Sequence, residues 1–334
     1  MIRILLVAVF LFMPSLALGA GHGAHSEKPE GHDWYPSKWG ADDTLGSVNE
    51  ITPEIILNAA KLIKVGKRYA LGEVTSRTTP AAGTRDHLLF VFSDGADGLA
   101  APLGTNNFKY FDDYMFTHMG VGSQIDGLGH AAIGDYFYNG LMPKDFYHGT
   151  GLTKFGIEEI PPMVTRGVVL DMVGYLKNKG VGSVMNRGGV DMIKGGTTFT
   201  KADIQGALKR QGISLQTGDV VITHSGYMKM QELDPAMAIS TWPGIGVEAA
   251  EYIASFNPVA VGGDTTGTEA HPPVTEGEFV PVHQELITKR GIYLLENLVT
   301  DELVRDEAWE FMFVLGQARF KGAVQMVINP VAIR

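Results

Sequence analysis

Short apolar runs that end on a polar residue, separated by stretches of helical spacing, recur through much of this chain and fix its class. Gly167 to Val173 (GVVLDMV) predicts a buried strand with an acid near its end. Asp219 to His224, Val259 to Asp264, and Ile292 to Leu295 leading into Glu296-Asn297 repeat the theme. Between them lie helices. Thr200 to Gln211 has Thr200 as its N-cap and Asp203 at the third helical position, and it stops at Gly212. Gly246 to Phe256 is a second, and Val282 to Lys289, ended by Gly291, a third. Upstream, Ile51 to Val65 opens on Thr52-Pro53-Glu54, a cap followed by proline at the first helical position. Tyr69 to Val74 and His87 to Phe92 predict strands. Alternation of this kind predicts an α/β fold, a single mixed α/β domain. Polar groups at strand ends are where open α/β folds place their sites.

Met119 to His130 (MGVGSQIDGLGH) is built differently. Gly120, Gly122, Gly127 and Gly129 pack no core, but they let backbone approach a ligand closely. On an extended strand Gln124 and Asp126 point to one face, and His130 follows four residues later. Lone pairs converging on one point suit a metal ion. A polar glycine-rich run read alone is more often a loop whose Asp and Gln brace turns.

The first twenty residues, MIRILLVAVFLFMPSLALGA, have a secretory signal peptide's short positive start, apolar middle and small-residue end. The chain is therefore expected in a periplasm or outside the cell, with cleavage near Gly19 or Ala20. Residues 21–33 (GHGAHSEKPEGHD) form a flexible polar tail, and 34–334 the folded domain. With no cysteine, any metal must be held by oxygen and nitrogen. A formal charge of −10 with no Lys/Arg cluster argues against nucleic acid and, once the signal is removed, membrane as partners.

Several short motifs in fixed order add to this. They include Trp39-Gly40-Ala41-Asp42-Asp43, Tyr138-Asn139-Gly140, Gly263-Asp264-Thr265, Val282-His283-Gln284-Glu285-Leu286 and Leu295-Glu296-Asn297-Leu298. With the Ser123 to His130 stretch, the chain from about Trp39 to the C-terminus resembles the cyclase-like metal-dependent hydrolases, which include kynurenine formamidases and isatin hydrolases. The resemblance implies a swivelling β/β/α domain. That family's signature is His-x-Gly-Thr-His-x-Asp-x-Pro-x-His. Laid on Gly120 to His130, it matches at Gly122, Asp126 and His130, with Ser123 for threonine and Leu128 for proline. Gln124 replaces one histidine and Gly120 another, which in relatives is a metal ligand.

By resemblance, Gln124, Asp126, His283 and Glu296 hold a divalent ion, Mn or Zn, and His130 is the catalytic acid–base group. His118, two residues before Gly120, is a substitute ligand if the strand stays extended, although two residues span roughly 6–7 Å. His224, Asp264 and Tyr138 are the substrate-binding candidates. The Gly-x-Ser-x-Gly elbow of serine hydrolases is absent around Ser225. The expected activity is metal-assisted hydrolysis of a small amide, cyclic amide or ester, in a homodimer or homotetramer. The alternative is a degenerate relative without productive metal, serving as a binding or structural protein. Gly120 feeds that alternative.

Overall fold

The structure is a computed structural model that describes residues 32–93, 102–180 and 182–334. The expected signal peptide and nearly all of the polar tail lie outside the described residues. Residues Trp34–Arg334 make one compact unit.

Its strands in chain order are β1 (Arg68–Ala70), β2 (His87–Ser93), β3 (Phe111–Thr117), β4 (Gln124–Asp126), β5 (Met163–Asp171), β6 (Val184–Arg187), β7 (Val190–Ile193), β8 (Thr198–Phe199) and β9 (Val220–His224). Then follow β10 (Gly244–Ile245), β11 (Ala260–Gly263), β12 (Tyr293–Glu296), β13 (Glu310–Leu315), β14 (Gln325–Val327) and β15 (Val331–Ile333). A curled nine-stranded sheet runs β1-β15-β13-β5-β9-β11-β12-β4-β14. Its centre, β5-β9-β11-β12, is parallel, and antiparallel strands extend it on both sides. The central strands are buried almost throughout, which is why they read as unbroken apolar runs rather than alternating ones.

The helices return the chain between these parallel strands. Lys201–Gln211 carries a capping box: Thr200 Oγ1 accepts the Asp203 N–H at 3.2 Å, and Asp203 Oδ2 accepts the Thr200 N–H at 3.1 Å. Gly212 ends it in the left-handed conformation. Ile204, Ala207 and Leu208 are its buried stripe. Val247–Ala254 joins β9 to β11, and Pro281–His283, continued by a π-helical turn over Gln284–Thr288, joins β11 to β12.

Four expectations are corrected. The helix from Thr52 runs only over Pro53–Ala60, because Lys61 is already its C-cap. The strand expected over Tyr69 to Val74 is Arg68–Ala70. The strand expected to Val173 stops at Asp171, whose Oδ1 accepts the Gly174 N–H at 2.8 Å and so starts a helix at Met172. The apolar run His87 to Phe92 is a strand, but it pairs only with β3, in a two-stranded hairpin outside the main sheet.

Gly262 in β11 shows how tightly the centre is packed. A Cβ there would lie 2.2 Å from the Leu295 carbonyl oxygen of neighbouring β12, and backbone within a central sheet cannot retreat cheaply. Gly262→Ala is expected to cost about 3 kcal/mol, read as a lowered denaturation midpoint. A midpoint equal to the parent's would show that this sheet yields more than its geometry suggests.

Candidate metal centre

β4 lies between β12 and β14, antiparallel to both, with Gln124 opposite Glu296 and Asp126 opposite Gln325. Side chains alternate along a strand, so Gln124 and Asp126 share a face, and the pairing brings Glu296 to it. The Gln124 carboxamide bridges the two acids: Nε2 donates to Glu296 Oε2 at 2.9 Å and to Asp126 Oδ1 at 3.2 Å. Gln325 Nε2 donates to Asp126 Oδ1 at 2.6 Å, and the Thr268 N–H donates to Glu296 Oε1 at 3.1 Å. All four of these side chains are buried.

His283 enters from the other side, immediately before the π-helical turn. Such turns recur at functional sites because the extra residue re-aims a side chain. Its Nδ1 lies 2.7 Å from Glu269 Oε2, while Glu269 Oε1 accepts the backbone N–H groups of Val282 and His283 at 3.1 and 3.2 Å. A carboxylate on Nδ1 fixes the proton there and turns Nε2 towards the acids. Nε2 is 3.5 Å from both Asp126 Oδ2 and Glu296 Oε1. His130, in the loop after β4, places its Nε2 4.0 Å from Asp126 Oδ2, with its ring 5.8 Å from that of His283.

This is three carboxylates around one imidazole. Among the described residues no Lys or Arg lies within ion-pair distance of Asp126, Glu269 or Glu296. Buried charge without a counter-charge is costly, and the acids show it. Burial, then the charge of Asp126, holds the Glu296 carboxyl well above the usual range. Asp126 goes the other way: burial pushes it up, but His130 and His283 outweigh that and hold it low. His283 is likewise desolvated, yet the surrounding carboxylates, Glu269 first, hold it well above its ordinary value. Acids that split in this way compete for too little positive charge. Asp126 Oδ2 and Gln124 Oε1 are buried without a hydrogen-bond partner.

A divalent ion fits this donor set. Donor atoms around a four-coordinate ion with bonds near 2.1 Å stand about 3.4 Å apart, close to the 3.5 Å separations here. Asp126, His130 and His283 form one group that could hold an ion, and Glu269, His283 and Glu296 an overlapping one.

The structure thus brings together Gln124, Asp126, His130, His283 and Glu296. It does not add His118 to either group. The chain turns at Met119–Gly122, with the Val121 N–H on the His118 carbonyl at 3.1 Å, so the extended strand on which that idea relied is missing. His118 Nδ1 accepts the Gly120 N–H at 2.9 Å instead. Gln124 turns its NH2, not its oxygen, towards the carboxylates. His224 and Asp264 meet each other, Nδ1 to Oδ2 at 3.3 Å. Both Asp264 oxygens are engaged by the Ser225 and Gly226 N–H groups, which lock the turn after β9. Tyr138 is buried, and its hydroxyl donates to Asp43 Oδ2 at 2.6 Å. Glu269, Gln325 and Thr268 escaped the sequence reading. Gln325 had a signal, a lone amide inside the apolar run Ala323-Val324-Gln325-Met326-Val327. Glu269 sits in a loop with none.

The Cyclase family model matches residues 35–270. A solved structure described as a novel cyclase is 30% identical with a TM-score of 0.77, over 89% of this chain and 98% of that one. Isatin hydrolase A from Ralstonia solanacearum shares the fold at 15% identity and TM-score 0.60, over 85% of this chain and 98% of its own. Isatin hydrolase A from Labrenzia aggregata, bound to benzyl benzoate, does so at 19% and 0.55, over 80% and 93%. No curated protein matches the chain. A match across most of the folded unit, together with the likeness to the novel cyclase, shows that this chain belongs to the cyclase family.

Proposed function

We propose that the protein is a metal-dependent hydrolase of a small amide, cyclic amide or ester. One observation carries the reading: Asp126, His283 and Glu296 aim their donor atoms at one buried place, and the Oδ2 of Asp126 has no hydrogen-bond partner there. These three would hold a divalent ion, Mn or Zn. Gln124 keeps the two carboxylates side by side through its NH2, while its Oε1, without a hydrogen-bond partner, faces Gly120. Once bound, such an ion polarises a carbonyl and brings a coordinated water's pKa towards neutrality. Glu269 holds the His283 ring in orientation through Nδ1. His130, half-buried at the rim, takes a proton at Nε2 and returns it to the leaving group. The isatin hydrolases, similar in fold, support a cyclic amide as one substrate to try.

Metal content after mild dialysis, with a panel of formanilide, a cyclic amide and an aryl lactone, tests this reading. About one Mn or Zn per chain is expected, with turnover of at least one substrate class. A protein that binds no ion after supplementation would instead be a degenerate relative that binds or braces, a reading favoured by Gly120 standing where relatives carry a ligand histidine. Residues 1–20 support a periplasmic or secreted location, to be checked by fractionation. Among the described residues no helix is long and apolar enough to cross a membrane.

The protein works as a homo-oligomer through the β2–β3 hairpin. Both faces of that hairpin are apolar and exposed: Phe90, Tyr114 and Phe116 on one, Leu89, Val91, Phe111 and Met115 on the other. Neither strand carries Lys or Arg, while Asp112 and Asp113 lie in β3. That charge argues against an anionic surface as the partner of these faces. Light scattering is expected to give a dimer or tetramer, and Phe90→Asp with Phe116→Asp a monomer. A parent protein that is monomeric at tens of micromolar would refute the interface.

A further inference from the structure

Three polar side chains close tightly on Gly120, where even a methyl group would be crowded. A Cβ built there would lie 3.1 Å from Gln124 Oε1, 3.2 Å from Arg85 Nη1 and 3.2 Å from His118 Cε1. Gln124 Oε1 has no hydrogen-bond partner and belongs to a residue only 2% exposed. Arg85 arrives from the turn before β2, its own N–H on the Ala82 carbonyl at 3.4 Å, and is half-buried.

The surroundings of Arg85 are unusual for a guanidinium. Among the described residues its side chain makes one hydrogen bond, Nη1 to the Gly120 carbonyl at a long 3.4 Å. No carboxylate there lies within ion-pair distance of it. Yet three carboxylates stand beyond Gln124, turned inward to His283 and away from Arg85. Its charge is felt at the rim, where it adds to the burial that depresses the His118 and His130 imidazoles. A planar fork of five donors, nearly all unused beside a reactive centre, matches a carboxylate that binds bidentately. Any side chain at position 120 would press against it.

We propose that Arg85 is a specificity residue that receives a carboxylate carried by the substrate, at the rim of the cluster beside Gly120. This rests on the hydrolase reading and narrows it: the preferred substrate is a small amide or ester bearing an anionic group close to the scissile carbonyl. Arg85 binds that group and orients the carbonyl towards the buried cluster. His118, whose ring packs against the same glycine, completes the wall.

The test compares formanilide with its ortho-carboxylated analogue in the metal-loaded parent, Arg85→Gln and Arg85→Lys, alongside calorimetric binding of benzoate and benzamide to the same proteins. The parent is expected to prefer the carboxylated formanilide in kcat/KM, chiefly through KM, and benzoate over benzamide. Arg85→Gln should collapse both preferences at least about tenfold, and Arg85→Lys should restore part of each. An unchanged preference in Arg85→Gln, or none in the parent, overturns the proposal. Should neither formanilide be cleaved by a metal-loaded protein, the hydrolase reading fails for these amides, while the benzoate measurement still decides the role of Arg85. Metal content and denaturation midpoint, measured for each variant, separate lost recognition from a damaged site.

Discussion

Asp126→Ala is expected to leave a folded protein that retains no divalent ion and has lost hydrolysis by at least about 1,000-fold. Asp126 is fully buried, its Oδ1 bound by both Gln124 and Gln325 and its Oδ2 facing the Nε2 of His283. Removing it takes away the carboxylate of the group that it forms with His130 and His283. Stability changes less than function. The loss strands two amide donors at about 1–3 kcal/mol each, but it relieves the repulsion that Asp126 exerts on Glu296. Asp126→Asn keeps the shape and separates charge from volume. Metal analysis beside a melting curve decides the matter. Full ion retention in Asp126→Ala would mean that the ion is held elsewhere.

His130→Ala should do the opposite: the ion stays and turnover falls roughly 10²–10⁴-fold. The side chain of His130 is a quarter exposed, whereas that of Asp126 is wholly buried, so its removal opens the rim and not the cluster. A pH profile adds a sign. Burial lowers the His130 pKa below the ordinary value, more than the nearby Asp126 raises it. A base must be neutral to accept a proton, so kcat/KM should climb with pH through a value below about 6.5 and be level by pH 7. His130→Ala should erase that acid limb. A variant that loses its ion as well would make His130 a ligand, with the proton handled by another group.

Much of this architecture could be read from local chemistry. The capping box at Thr200, the left-handed Gly212 and the apolar β9 and β11 runs are decided by residues a few positions apart, and each stands where expected. The centre was legible in part for the same reason. Gln124 and Asp126 are two apart on one strand, and Glu296 ends an apolar run where a surface charge has no place. Distance in the chain is what hid the rest. Glu269 acts on His283 from a loop, and nothing in its neighbours marks it. Gln325 reaches Asp126 across a strand pairing that no local pattern announces. The setting of His118 was hidden too, because the backbone turns at Met119–Gly122 and lays its ring against Gly120 instead of along an extended strand. Likewise the β2–β3 hairpin has apolar residues on both faces, a pattern that on sequence alone reads as interior.

β14 places the far end of the polypeptide under the principal acid of the cluster. Loss of the residues after Lys321 would leave the motif from Gly120 to His130 intact and still strip Asp126 of its shortest hydrogen bond, along with one of the two strands that hold β4. Proteolytic trimming at the tail would then silence the molecule from a remote position, and preparations of uneven activity are best checked first for an intact C-terminus by mass spectrometry.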